Sequence, residues 1–270
     1  MADDVLRDAL GQSFERLSGG QSRIVSLVPS ITELLFDLEL GEQVVGRTSF
    51  CVHPADKVKA VPTVGTPKKL DLAKLRELAP THVLVSIDET TKDLTQSLRD
   101  FVPNIVVTHP IVPRDNLDLY RLVGGIFNRV SKAEGLCYDF ETAFRSLATF
   151  APRLPERRVL YLVWKDPWMA VSRNTYIGRV LDLVRWRCLI DDPKVRYPQV
   201  DMAKVIKHAD IVFLATEPYR FSAADIDAFK KTFDYKGKVV RSIDGALVSW
   251  YGSRAIPGLK YLRETAAELK

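Results

Sequence analysis

The chain has 270 residues, 46% hydrophobic and 27% charged, which excludes a disordered polymer and leaves room for two modest lobes or one large domain. Its formal charge of +5 is spread thinly, with Arg157-Arg158 and Lys230-Lys231 as isolated pairs and no aromatic interleaving, so no nucleic-acid partner is expected. Three cysteines, Cys51, Cys137 and Cys188, cannot all pair and form no CxxC, which suits a reducing compartment and excludes a disulfide framework.

The first twenty residues open on acids, and charges break every apolar run, unlike a secretory signal. Val5, Leu6, Leu10 and Phe14 share one helical stripe before Ser18-Gly19-Gly20, so a leading helix is expected over 1–20. This reading favours a cytoplasmic protein; a signal removed upstream would make it periplasmic. No apolar run is long enough to insert in a membrane.

Arg23–Val28 (RIVSLV) is short, β-branched and apolar, and reads as a buried parallel strand. Ser30 is placed to cap the next helix, with Glu33 at the capping-box position. That helix carries Ile31, Leu34, Leu35 and Leu38 and stops at Gly41. Gln43–Gly46 reads as a strand, Asp71–Leu78 as a capped helix, Thr81–Ser86 as a strand, Thr90–Phe101 as a helix and Ile105–Thr108 as a strand. Strands alternating with helices predict a mostly parallel, doubly covered sheet. The alternation then breaks: Leu117–Asn128 and Lys132–Phe150 are both helical, and Leu136, Phe140, Phe144 and Leu147 line one face of the second. At 1.5 Å rise per residue its roughly 20 residues make a rod of about 30 Å. Pro152 and Pro155 end it, and strands resume at Arg158–Val163, Ile211–Ala215 and Val239–Ser242, with a last helix from near Ser253.

A weak internal repeat accompanies this pattern. Arg23–Val28 matches Arg158–Val163, and Asp71-Leu-Ala-Lys-Leu75 matches Asp201-Met-Ala-Lys-Val205, each followed at the same distance by a strand. The expected architecture is α/β: two Rossmann-like lobes with mostly parallel sheets joined by one long helix. The expected boundaries are a leading extension 1–20, an N-terminal lobe 21–129, a linking helix 130–152 and a C-terminal lobe 153–270. Open parallel sheets bind ligands beyond the carboxyl ends of their strands, so a ligand is expected in a cleft between the lobes.

The loops at those ends are rich in rings: Trp164 and Trp168 in WKDPW, Tyr219 in EPYRF, and Trp250 and Tyr251 in SWYGSR, with Phe50, Tyr176 and Tyr197 nearby. Aromatics concentrated on loops form a wall for a flat, polar-rimmed ligand, or plug the ends of each lobe's core. Lys68, Arg173 and Arg254 are placed to meet acidic groups, and Glu217 and His53 lie on the same loops. Cys51 and His53 form a weak candidate metal pair, which Glu217, Asp244 or His109 would have to complete. There is no GxSxG, HExxH, Walker A or GxGxxG, so an enzyme is not expected.

The stretch from Arg23 to Leu35, then Leu40-Gly41 and Val44-Val45-Gly46, resembles the opening of the vitamin B12-binding receptor family. These are helical-backbone (class III) substrate-binding proteins, which include siderophore and haem receptors. Arg196–Val200 (RYPQV) and Arg254–Pro257 are similar to further segments of that family. The resemblance implies two lobes on a stiff helix and a ligand such as a corrinoid (cobalamin), a haem or a ferric chelate, with no covalent cofactor. It places Phe50 and Tyr197 against the ligand and puts Ser86 where the receptor has a pocket Trp, which alters the pocket. Exported receptors of this family dock onto an ABC permease through one Glu per lobe. Ala73 and Ala203 stand at those positions, which implies no permease partner and a signal-less branch. The expectation is a metal-chelate binding protein. The alternatives are a transport receptor without its signal and a metal-dependent enzyme on the same cleft.

Overall fold

Short β-branched runs and capped amphipathic helices account for most of the architecture. It is known from a computed structural model that describes residues 6–18, 22–66 and 69–270. The chain opens with β1 (Leu6–Arg7) and β2 (Ser13–Phe14), then β3 (Ile24–Ser26), α1 (Pro29–Asp37), β4 (Val44–Arg47), β5 (Gly65–Thr66), β6 (Lys69–Leu70) and α2 (Leu72–Glu77). It continues with β7 (His82–Ser86), α3 (Lys92–Arg99), β8 (Asn104–Thr108), α4 (Asp115–Ile126) and the 21-residue α5 (Val130–Phe150). The remainder comprises β9 (Arg157–Trp164), β10 (Met169–Ala170), α6 (Tyr176–Asp182), β11 (Trp186–Cys188) and α7 (Met202–Val205). After these come β12 (Ile211–Ala215), α8 (Ala223–Thr232), β13 (Val239–Ile243), α9 (Gly245–Ser249) and α10 (Ala255–Glu268).

The chain divides into two compact units. The first contains residues 1–110, 114–139 and 251–254, and the second 111–113, 140–250 and 255–270, so α5 contributes to both. In the first, β4-β3-β7-β8 form a parallel sheet. Strands β3, β7 and β8 are buried almost throughout, while the edge strand β4 alternates; Val25, Val83, Val85 and Val107 meet Leu75 of α2 and Leu98 of α3 on one face. In the second, β9, β11, β12 and β13 are parallel and β10 adds an antiparallel edge. Leu160, Leu162, Val212 and Leu214 pack there with Phe221 and Phe229. Each fully buried Leu or Phe contributes about 1.5–3 kcal/mol. The α/β class with two mostly parallel sheets and one long helix is therefore as expected.

Two expectations fail. The leading helix over 1–20 is replaced, in its described part, by the antiparallel pair β1–β2, with Leu10 exposed rather than on a buried stripe. Asp8 is the cause. Its buried carboxylate accepts Leu10 N and Gln12 N at 2.9 Å and Val107 N at 3.1 Å, giving the backbone a turn in place of a helix. Gly11 closes that turn at φ +79°, where a side chain is strained. Val5 lies outside the described residues.

The Ser30–Glu33 capping box is also absent. Helix α1 starts two residues earlier, at Pro29 with Val28 in the N-cap position and no side-chain cap, because proline is preorganised for the first helical position. The second-unit strands β10 and β11 were not anticipated, and α8 is closed by a Ser222–Asp225 capping box. Among the described residues no helix is long and apolar enough to cross a membrane.

Candidate functional site

Parallel register places the carboxyl ends of each unit's strands along one sheet edge, and the loops leaving them carry the candidate residues. In the first unit the loop after β4 is braced from below. Arg47 donates to Val58 O at 2.9 Å and to Cys51 O at 3.1 Å, and Ser49 N donates to Gly65 O at 2.8 Å. On this frame Phe50 is 59% exposed and Val52 51%, and Ile87, just past β7, is 44% exposed. Phe50 and Val52 are thus held out to solvent on a hydrogen-bonded loop. Val52 and Ile87 carry no ring, and their apolar side chains on loops are the only sequence signal that marks them.

Cys51 belongs to the core, not to the surface. Its Sγ lies 3.2 Å from Thr48 Oγ1 and 3.8 Å from Ser26 O, and burial pushes the thiol up. The Cys51 thiol is thus held in the core by Thr48 and Ser26, an environment that does not favour the expected Cys51–His53 metal pair. His53 is half-buried before a cis proline. Among the described residues no three His, Cys, Asp or Glu side chains converge as a metal site. His109, just past β8, has Nδ1 3.8 Å from Asp88 Oδ2. Lys68 lies outside the described residues.

The expected anion contact at Arg254 is engaged elsewhere. Its guanidinium pairs bidentately with Glu33 of α1 at 2.7 and 2.5 Å, and both side chains are 16% exposed. Gly252 sits beside this pair at φ +78°, and a Cβ there would come within 3.1 Å of Ser30 O, so the turn requires glycine. Its N–H donates to Asn116 Oδ1 at 2.6 Å and its carbonyl accepts from Tyr120 at 2.8 Å. Tyr251 is buried within this turn, and burial pushes its phenol up.

In the second unit the ring-bearing loops separate into two kinds. Trp164, ending β9, is 41% exposed and meets half-buried Tyr219 edge-on at 5.5 Å. Lys165 lies over the Tyr219 ring at 5.3 Å and pairs with Asp225. Tyr197 is 39% exposed, and Tyr176 is half-buried at the start of α6, which Thr175 caps. Trp168 instead stacks on Phe221 at 6.0 Å and 2° and meets Phe229 and Phe233 edge-on, so it closes the core from above.

Glu217 accepts from Trp250 Nε1 at 2.5 Å and Ser249 Oγ at 3.1 Å, tying the loop after β12 to the end of α9. Arg173 donates to Cys188 O at 2.8 Å and pairs with Asp191 at 3.0 Å. Asp244 caps α9 through Leu247 N at 3.0 Å. Trp168, Arg173, Glu217 and Arg254 thus engage intramolecular partners, and Tyr251 is buried. Phe50 in the first unit and Trp164 and Tyr197 in the second present exposed ring surface, while His53 in the first and Tyr176, Tyr219 and Trp250 in the second are half-buried.

These features define a two-unit α/β binding protein with aromatic strand-end loops. The chain belongs to the periplasmic binding protein family, which it matches over residues 24–236. Among its relatives is the ABC transporter substrate-binding lipoprotein YvrC of Bacillus subtilis (strain 168), 24% identical over 253 residues, 90% of this chain and 79% of the relative. Two solved structures share the fold. One is the periplasmic heme-binding protein RhuT from Roseiflexus sp. RS-1 in apo form, with TM-score 0.79, 21% identity, and 92% of this chain and 99% of that chain covered. The other is the periplasmic vitamin B12 binding protein BtuF of Vibrio cholerae, with TM-score 0.77, 15% identity, and 92% and 98% covered.

Proposed function

We propose that this chain binds a metal chelate, of the corrinoid, haem or ferric-chelate class, on the strand-end loops, without a covalent cofactor and without catalysing a reaction. The observation that carries the reading is the presentation of Phe50 and Trp164 as exposed rings on strand-end loops in a chain of this family. Flat macrocycles with polar rims are matched by ring faces flanked by polar tips. In this reading Phe50, Trp164, Tyr197 and Tyr219 offer ring surface to the ligand, and Trp250, Tyr176, His53 and Lys68 are further candidate ligand residues. The kinship with proteins named for haem and vitamin B12 supports the class and leaves the member of the class open.

The test is titration of the full chain with cobalamin, haem and a ferric siderophore, followed by Trp fluorescence and by the visible band of the chelate. Saturable binding of at least one, weakened by Trp164→Ala and Phe50→Ala, is the expected result. Failure of all three to bind would overturn the reading.

A second reading concerns the partner and the compartment. The relative named as a substrate-binding lipoprotein and the family itself favour a receptor that serves an ABC permease outside the cytoplasm over the cytoplasmic carrier expected from the sequence. Against it stand Ala73 and Ala203, both exposed at the starts of α2 and α7, just after the capping residues Asp71 and Asp201. Alanine offers no charge-assisted bond to an arginine. Co-purification with the permease, strengthened by A73E/A203E, would favour the receptor. Absence of binding by either form would favour the carrier.

A further inference from the structure

The carboxyl-terminal end of α5 carries a second feature that chelate binding does not use. Arg145, Ser146, Thr149, Phe150, Arg153 and Arg263 line one open hollow of about 360 Å³ within the second unit. Arg145, Thr149 and Arg153 follow at intervals of four along α5 and the short 3-10 turn Ala151–Arg153, so they share one face. Arg263 reaches the same hollow from α10. Its guanidinium lies over the Phe150 ring at 5.1 Å, which holds its plane in place.

All three arginines are exposed, and none has a carboxylate within 4 Å among the described residues. Elsewhere in the same unit Arg158, Arg173, Arg187 and Arg241 each reach a carboxylate at 2.8–3.0 Å. Arg220 is likewise exposed without a carboxylate partner among the described residues, so what sets these three apart is that they share one hollow. Cations near a helix carboxyl terminus gain from its dipole, which accounts for Arg153 but not for Arg145, which lies before the last turn of α5. It does not account for Arg263, which projects from the other helix into the same space. Arg145 Nε makes only a 3.4 Å contact to Glu141 O, which leaves its terminal nitrogens to the hollow. The Ser146 hydroxyl has no partner among the described residues and adds a neutral donor.

We propose that this hollow binds a small molecule bearing two linked phosphates. Guanidinium forks match phosphate oxygens bidentately. One phosphate carries roughly −1.5 to −2 at neutral pH and leaves three guanidiniums undercompensated; two linked phosphates neutralise them. The volume falls in the range of small-molecule sites, roughly 300–1,000 Å³. The site is independent of the chelate loops, so it stands or falls apart from that reading.

The test is calorimetric titration of the full chain at about 0.15 M salt, where long-range surface attraction is screened. The probes are inorganic pyrophosphate, inorganic phosphate, and vesicles of phosphatidylcholine with phosphatidic acid. Pyrophosphate is expected to bind at one site and more tightly than phosphate. Arg145→Ala and Arg263→Ala should each weaken it about tenfold, the loss of one charge-assisted contact, while Arg158→Ala leaves it unchanged. All three side chains are exposed, so the melting temperature should be retained, and Arg263→Lys should restore part of the affinity as a point charge.

No saturable pyrophosphate binding would overturn the proposal. So would equal weakening by Arg158→Ala, which means diffuse attraction. Binding to the vesicles with none to pyrophosphate would also overturn it, in favour of a membrane surface.

Discussion

The stability of the first unit should fall between pH 6.5 and about pH 4, and His82 is the residue responsible. Its ring is 4% exposed at the start of β7, edge-on to Phe127 at 4.9 Å, with Nδ1 2.9 Å from Thr81 Oγ1. Burial penalises the imidazolium and lowers the pKa from 6.5 to about 4. The unfolded chain therefore takes up the proton first as the pH falls. Stability is fully present above the unfolded value and is lost downward until the folded value is reached. The shift of about 2.5 units at 1.36 kcal/mol per unit gives a loss of about 3 kcal/mol. Carboxylates held low by cations, such as Glu134 beside Arg121, lose stability in the same direction near and below pH 4, so the histidine must be isolated by difference. His82→Gln keeps a buried polar group and removes the titration. Amide exchange of β7, measured at pH values from 7.5 to 4 and corrected for intrinsic rates, reports opening of this unit alone. Wild type should lose about 3 kcal/mol of protection relative to the variant. Parallel curves for the two proteins would refute the argument.

Three shorter predictions concern the site. Glu33→Ala and Arg254→Ala should each destabilise the chain, and the double variant should be less unstable than their sum, with a coupling of about 2 kcal/mol, between exposed and buried pairs; additive urea midpoints would contradict it. Trp164→Ala should weaken chelate binding about three- to tenfold and leave the unfolding midpoint within error, whereas Trp168→Ala should lower stability by about 3 kcal/mol; a reversed pattern would exchange their roles. Cys51, Cys137 and Cys188 are buried, and burial pushes the Cys51 thiol up and that of Cys188 to about 12. A thiol reagent should therefore label none of them in the native state and all of them in denaturant, and rapid native labelling would contradict that burial.

The sheets were legible because buried parallel strands must be apolar throughout. Ile211–Ala215 has nothing else it can be, and observed and expected bounds coincide there. Asp71 was equally legible as a cap, since a short acceptor before an amphipathic run satisfies the first free amides, and its counterpart in the repeat, Asp201, caps α7 in the same way. The N-terminal hairpin was not, because Asp8 bonds to Val107, ninety-nine residues away, and a stripe of apolar residues says nothing about such a partner. Helix α8 carried a readable signal in Ser222-x-x-Asp225 that was passed over.

The limits of the sequence at the site are sharper, because residue type and loop position do not decide between contact and plug. Trp164 and Trp168 are the same residue in the same loop, four apart, yet one faces solvent and the other roofs a core. The difference lies in Phe221, Phe229 and Phe233, which follow β12 and gather under Trp168 alone. Arg254 shows the same dependence for charge. A basic residue at a helix start reads as an anion contact, but the carboxylate that claims it sits 221 residues earlier on α1. A half-buried guanidinium without a partner carries a desolvation penalty, so the fold supplies one wherever the backbone brings it near. It follows that exposed cations with no carboxylate in reach are better pointers to an external anion than cations in favoured loops. In this chain three such cations, Arg145, Arg153 and Arg263, line one hollow, a place that no sequence motif marks.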